Sequence, residues 1–118
     1  RLRFATSEAE LSAEIDNAIN LGRLPTDGFR RIGGTIEGGT QFFRFTVGDQ
    51  SSLALRLLRL SDNADLHLLD SIGRTIEVSA RAGTRDEAID RIIDAGIYYV
   101  AITYSGTGAA DYSLRLQI

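Results

Sequence analysis

The residue types that could do chemistry are few. The chain contains one histidine, His67, and no cysteine. Acyl-transfer catalysis needs a nucleophile, a base within hydrogen-bond reach and a group that orients the base. His67 alternates with Leu66 and Leu68, so a strand would send it to the solvent face, where it reads as structural. Asp62, Asp65, Asp70, Asp86, Glu87, Asp90 and Asp94 could in principle supply a two-carboxylate hydrolase. Such a pair must be held at a defined separation, and these residues fall on separate turns and strand faces, where they read as solvated carboxylates. Gly33-Gly34 and Gly38-Gly39 flank Thr35-Ile36-Glu37 with no lysine nearby, so no phosphate-cradling loop is present. The expectation is a domain that is not an enzyme.

Two other constellations could bind. Hard cations take six to eight oxygen ligands, and Glu14, Asp16 and Asn17 place three oxygen side chains on one short segment, which makes them the candidate calcium ligands. In a metal-free reading the same groups line the polar face of a helix. Asp62-Asn63-Ala64-Asp65 is a second oxygen-rich stretch, but Asx side chains at turns bond their own backbone and explain it without a metal. Phe42 and Tyr99 are the aromatic residues that alternation pushes outward. They are the candidate binding residues, because a flat ring offers a peptide or sugar a large contact area at low entropy cost. They could equally pack under a loop or against a neighbouring domain.

The elements that position these residues divide at about residue 22. Ser7-Glu8-Ala9-Glu10 has the spacing of a capping box, and Leu11, Ile15, Ala18 and Ile19 follow as one helical stripe that Gly22 would end. Residues 1–22 therefore form an N-terminal linker or short helix, and residues 23–118 the main domain. From Phe29 onward the period is two: Phe43, Phe45 and Val47 alternate with Arg44 and Thr46, and Tyr112, Leu114, Leu116 and Ile118 with Ser113, Arg115 and Gln117. Strands are expected near 29–36, 41–48, 51–60, 64–70, 74–80, 86–93, 97–105 and 110–118, with a β-bulge near Leu57 and Leu58 to restore register. Asp70-Ser71-Ile72-Gly73 reads as a hairpin connection and Ala95-Gly96 as a second tight turn. Tyr98, Val100, Ile102 and Tyr104 share the core face, which leaves Tyr99 outside. About eight strands with regular turns predict an all-β fold, an antiparallel jelly-roll-like β-sandwich with a short N-terminal helix.

Composition agrees with a packed domain. Of the 118 residues 43% are hydrophobic and 25% charged, which favours neither disorder nor a membrane span. Thirteen basic residues, all arginine, against sixteen acidic ones leave a net charge of -3, which argues against nucleic acid as a partner. With no methionine at position 1 or elsewhere, the chain is expected to be a domain excised from a longer protein.

Several stretches in order carry a resemblance. Phe42-Phe43-Arg44-Phe45-Thr46-Val47, Asp65-Leu66-His67-Leu68-Leu69-Asp70-Ser71-Ile72-Gly73, Thr75-Ile76, Gly83 to Ile89, Ala95-Gly96-Ile97-Tyr98-Tyr99-Val100 and Tyr112-Ser113-Leu114-Arg115-Leu116 together resemble the bacterial pre-peptidase C-terminal domain, from about residue 14 to the end. The resemblance implies a non-catalytic accessory domain of a secreted or cell-surface bacterial protein, a hydrolase above all, that aids stability, export or positioning. Its partners would be neighbouring domains of the same parent chain. The alternative it implies is a calcium-assisted binding module for an extracellular polymer such as collagen or polysaccharide. In collagen-binding relatives, acidic residues ahead of the aromatic strand complete a calcium site; here that place reads Gly38-Gly39-Thr40-Gln41, so the expectation is no required cofactor, with calcium as the one candidate.

Overall fold

A computed structural model describes residues 18–25 and 28–118. Among them nine strands follow in order: β1 Ile19–Arg23, β2 Phe29–Ile36, β3 Gly39–Val47, β4 Ser51–Leu58, β5 Asp65–Leu69, β6 Thr75–Ser79, β7 Glu87–Ile93, β8 Gly96–Tyr104 and β9 Ala110–Gln117. They build two sheets, β1-β3-β8-β5-β6 and β2-β9-β4-β7, here called sheets A and B. All pairings are antiparallel except β1 with β3. The eight expected strands are present, and the sandwich is all-β.

Alternation places the core between the sheets. Phe43, Phe45 and Val47 of β3, Leu66 and Leu68 of β5, and Val100 and Ile102 of β8 meet Leu53, Leu55 and Leu57 of β4, Ile89 of β7, and Leu114 and Leu116 of β9, all buried. In β4 and β9 each buried residue is followed by a half-buried or exposed one, the signature of a sheet with one face in the core and one in water. Sheet A departs from this. In β5 the four residues Leu66 to Leu69 are all buried, as are Tyr99 to Ile102 of β8.

Five local expectations need correction. Ile19 belongs to a strand, not to a helix: Ile19–Arg23 pairs in parallel with β3, and Gly22, at φ 74°, sits where the register shifts between Asn20 and Arg23. The rest of the helical pattern, including Ser7, Leu11 and Ile15, lies outside the described residues.

The bulge near Leu57 and Leu58 is replaced by a different device. β4 pairs with β7 and β9 without a register shift and ends at Leu58; Arg59 then takes φ 55°, and Leu60 turns back into the core at 7% exposure. A single left-handed residue reverses the side-chain phase as an inserted residue would have done. His67, expected in solvent, is 2% exposed, because its face of sheet A is the one on which Phe42, Leu69, Tyr99 and Ala101 form a second buried cluster. Tyr99 is buried in that cluster. Glu87, expected among solvated carboxylates, is fully buried at the start of β7.

The expected turns hold. Asp70 closes the β5–β6 hairpin: its N–H donates to the Arg74 carbonyl at 2.9 Å, its carboxylate accepts the N–H groups of Ile72 and Arg74, and Gly73 takes φ 89°. Burial opposes ionisation of Asp70, but the hydrogen bonds from the Arg74 backbone and side chain and from Ile72 outweigh it and hold the carboxyl below its ordinary range. Asp94-Ala95, ahead of Gly96 at φ 153°, is a tight link that carries the chain from sheet B to sheet A.

Candidate functional site

Two outward sheet faces are the surfaces on which a site could stand. On sheet A, β3, β8 and β5 lie side by side, with Phe42 opposite Ala101, Ala101 opposite His67, and Tyr99 between Arg44 and Leu69. Phe42 (5% exposed), Leu69 (0%), Tyr99 (7%) and Ala101 (0%) form a second apolar cluster, separate from the main core, against which Ala18 and Ile97 pack. Alternation therefore predicted their direction and missed their burial. Neither aromatic ring is presented to solvent.

His67 lies in the same face. Its Nε2 is 3.3 Å from Thr103 Oγ1, and desolvation lowers its pKa from 6.5 to about 4. The imidazole is 2% exposed. The geometry supports a packing role.

The outward face of sheet B is open. Phe29 is 49% exposed and stands between two guanidinium groups, with the Arg115 Cζ 4.6 Å and the Arg31 Cζ 5.8 Å from its ring centroid. The ring's negative face attracts both cations. Register explains the assembly: Arg31 lies opposite Arg115, and Arg115 opposite Arg56, so three arginines form a row across β2, β9 and β4. Arg56 is held by Asp90 through a paired contact at 2.9 and 3.1 Å. The Arg115 Nε is buried and lacks a hydrogen-bond partner among the described residues. Beside it Ala54, Arg56, Arg115 and Gln117 line a cleft of about 210 Å³. Sequence reasoning passed over this group. Ile32 and Ile36 point inward, and that phase puts Phe29 and Arg31 outward.

Among the described residues, Asp62 and Asp65 have perturbed carboxyl groups with local causes. Asp62 accepts the Tyr104 hydroxyl at 2.7 Å and the Asn63 N–H at 2.8 Å, which hold its pKa below the ordinary value. This is the local turn chemistry expected for Asp62-Asn63-Ala64-Asp65. Burial, and secondarily the charge of Glu87, raise the pKa of Asp65. No group of three histidine, aspartate or glutamate side chains able to hold a metal ion occurs among the described residues. Glu14, Asp16 and Asn17 lie outside them. Gly38 (φ 127°) and Gly39 (φ 72°) make the sharp passage from β2 in sheet B to β3 in sheet A. A turn that places two residues in the left-handed region favours glycine.

With this geometry in hand, comparison with known proteins is informative. The profile of the bacterial pre-peptidase C-terminal domain matches residues 39–104. The chain belongs to that family, and the match spans β3 to β8. Among solved structures it is similar to the pre-peptidase C-terminal domain of a collagenase from Bacillus anthracis, at 17% identity and a TM-score of 0.64, over 86% of this chain and 93% of that one. The Yersinia pseudotuberculosis-derived mitogen is also similar, at 17% identity and a TM-score of 0.53, over 78% and 86%. So is PliG of Aeromonas hydrophila, a periplasmic inhibitor of g-type lysozyme, at 13% identity and a TM-score of 0.51, over 85% and 96%. At these identities the likeness is one of fold. No curated protein matches the sequence. No helix among the described residues is long and apolar enough to cross a membrane.

Proposed function

We propose that the domain is a non-catalytic accessory module of a secreted bacterial hydrolase, which it stabilises and positions. The observation that carries this reading is membership of the pre-peptidase C-terminal family in a chain whose single imidazole is buried. A rigid two-sheet body with its own core folds without help from its parent and can be carried at a chain end or between domains.

A specific observation on sheet B also supports the binding-module reading. Phe29 with Arg31 and Arg115 offers an exposed ring and delocalised cations beside the Arg56–Arg115 cleft. Such a face suits an extracellular polymer that carries carboxylate or sulfate groups, since guanidinium forks bind planar anions with two parallel hydrogen bonds.

Co-sedimentation with insoluble collagen, cell-wall material and acidic polysaccharide tests both readings. Binding to an anionic polymer that weakens with salt and falls at least tenfold in Phe29→Ala and Arg115→Gln, with unchanged melting temperature, supports the module. Retention on none of them removes the binding role and leaves stabilisation and positioning. Peptide or glycoside hydrolysis by the purified domain would overturn the non-catalytic reading. Calcium has no part in this proposal; a large loss of melting temperature on adding chelator would require one.

A further inference from the structure

The outward face of sheet B concentrates positive charge in a chain whose net charge is -3. Its side chains fall in rows across the strands: Arg31, Arg115 and Arg56 in one, and Phe29, Gln117, Ala54 and Asp90 in the next. Arg56 is already committed, because Asp90 holds it through two contacts. Among the described residues neither Arg31 nor Arg115 has an ion-pair partner, and both guanidinium groups lie against the Phe29 ring. Two cations on neighbouring strands repel each other unless an anion lies between them. Beside this pair two clefts share Ala54. One, of about 210 Å³, is lined by Ala54, Arg56, Arg115 and Gln117, and the other, of about 330 Å³, has Ser52, Asp90 and the exposed Ile92 in its wall. Together they make a trough from β9 across β4 to β7, two strand spacings or about 10 Å wide.

We infer that the ligand of this trough is a polysaccharide in which a uronate ring alternates with a neutral one. Its carboxylate is clamped by Arg31 and Arg115, and the neutral ring lies over Ala54 towards Asp90. The inference rests on the binding-module reading of sheet B and narrows it to one class of polymer.

Charge spacing selects the alternation. The Asp90 side chain is 64% exposed at the far side of the trough, so a polymer with an anion on every ring sets its next charge against this carboxylate, whereas a neutral ring meets no such repulsion. Two uncompensated guanidinium groups also suit one planar carboxylate, which they can grip through parallel hydrogen bonds. Sugar is favoured over peptide by the lining and by the edges of the sheet. Gln117, Ser52 and Asp90 supply the donors and acceptors that ring hydroxyls need. An extended peptide would instead add as a strand at an edge, and both edges of sheet B are strapped to sheet A: Arg30 of β2 donates to the Leu21 carbonyl at 3.1 Å, and Arg91 of β7 pairs with Glu77 at 3.2 Å.

Affinity electrophoresis of the domain at low salt tests this, with hyaluronan, polygalacturonate, dextran sulfate, poly-glutamate or neutral dextran cast in the gel. Hyaluronan, whose glucuronate alternates with a neutral N-acetylated sugar, should retard the domain most and dextran not at all. Arg31→Gln and Arg115→Gln should each weaken hyaluronan binding at least tenfold, and Arg85→Gln, in the β6–β7 loop, should leave it unchanged. Asp90→Asn, which removes the repulsion and releases Arg56, should strengthen polygalacturonate binding at least threefold and so narrow the preference for hyaluronan. Equal or tighter binding to polygalacturonate, dextran sulfate or poly-glutamate by the parent domain overturns the alternating-uronate inference and leaves the binding module standing. Retardation by none of the polymers overturns both. If Arg115→Gln lowers the melting temperature, Arg31→Gln on the exposed edge strand decides: hyaluronan binding that survives it in a folded protein overturns the clamp.

Discussion

The Glu87 carboxylate accepts a hydrogen bond from the Ser79 hydroxyl at 2.7 Å inside the fold. The same carboxylate accepts the Arg81 N–H, at 3.0 and 2.9 Å from its two oxygens, while the Ala88 N–H donates to Ser79 Oγ at 3.1 Å. One buried side chain thus ties the end of β6 in sheet A to the start of β7 in sheet B. A buried charge is tolerated only when such donors satisfy it.

Removing that carboxylate should therefore be costly. Glu87→Ala leaves the Arg81 N–H and the Ser79 hydroxyl without their acceptor and should cost about 3 kcal/mol, while Glu87→Gln, which keeps an acceptor oxygen, should cost about 1–2 kcal/mol. Urea midpoints of the three proteins check this. Equal stability of Glu87→Ala and the parent would show that the donors find water instead.

Tyr98 and Tyr99 should both matter, for different neighbours. Tyr98 stacks on Phe45 at 5.8 Å and donates its hydroxyl to the Asp94 carbonyl at 2.8 Å; Tyr99 packs with Phe42, Leu69 and Ala101 on the opposite face. Tyr99→Ala should cost about 3 kcal/mol, as for a buried aromatic. Tyr98→Phe, which removes only the hydrogen bond, should cost about 1 kcal/mol. Denaturant midpoints of the single variants check both, and a loss below 1 kcal/mol for Tyr99→Ala would mean that its face is open in solution.

Acid should destabilise the fold through His67. Desolvation lowers its pKa from 6.5 to about 4, so between those values the unfolded chain binds a proton that the folded chain refuses. Stability contributed by the neutral imidazole is present above pH 6.5 and is lost as pH falls towards 4. The raised pKa of Asp65 acts in the opposite sense at the acidic end, which makes the difference between proteins the useful quantity. Relative to the parent, His67→Gln should show a flatter fall in melting temperature between pH 6.5 and 4. Parallel profiles would place the imidazole in water.

The legible part of this fold is the part governed by a single phase of alternation. β2 matches its expected bounds at Phe29 and Ile36, and β4, β7 and β9 differ by two residues or fewer at each end. Their faces are water on one side and core on the other, so period and burial coincide. Sheet A was harder because alternation gives the direction of a side chain and is silent on what lies over it. Phe42, His67 and Tyr99 point as expected and are buried all the same. β1 was missed because INLGR is short and contains a glycine, while its neighbours carry a stronger helical period. Glu87 was legible in principle: it shares the inward phase of Ile89, and a carboxylate in that phase signals a buried acceptor.

Arg59 offers the last and most local prediction. It is the one non-glycine residue with positive φ among those described, at 55°, and it stands where β4 ends and Leu60 must return to the core. A side chain in the left-handed region costs roughly 1–2 kcal/mol, and glycine removes that cost while giving up part of it to the greater freedom of the unfolded chain, about 0.4–1 kcal/mol. Arg59→Gly should thus stabilise the domain by about 0.5–1 kcal/mol, whereas Arg59→Val, whose branched side chain tolerates this conformation least, should destabilise it by at least 1 kcal/mol. Arg59 is exposed, so neither change disturbs packing, and melting temperatures of the two variants read the backbone alone. If instead both variants lose stability equally, the chain reverses its phase by a bulge within β4, and the registers of β4 against β7 and β9 would have to shift with it.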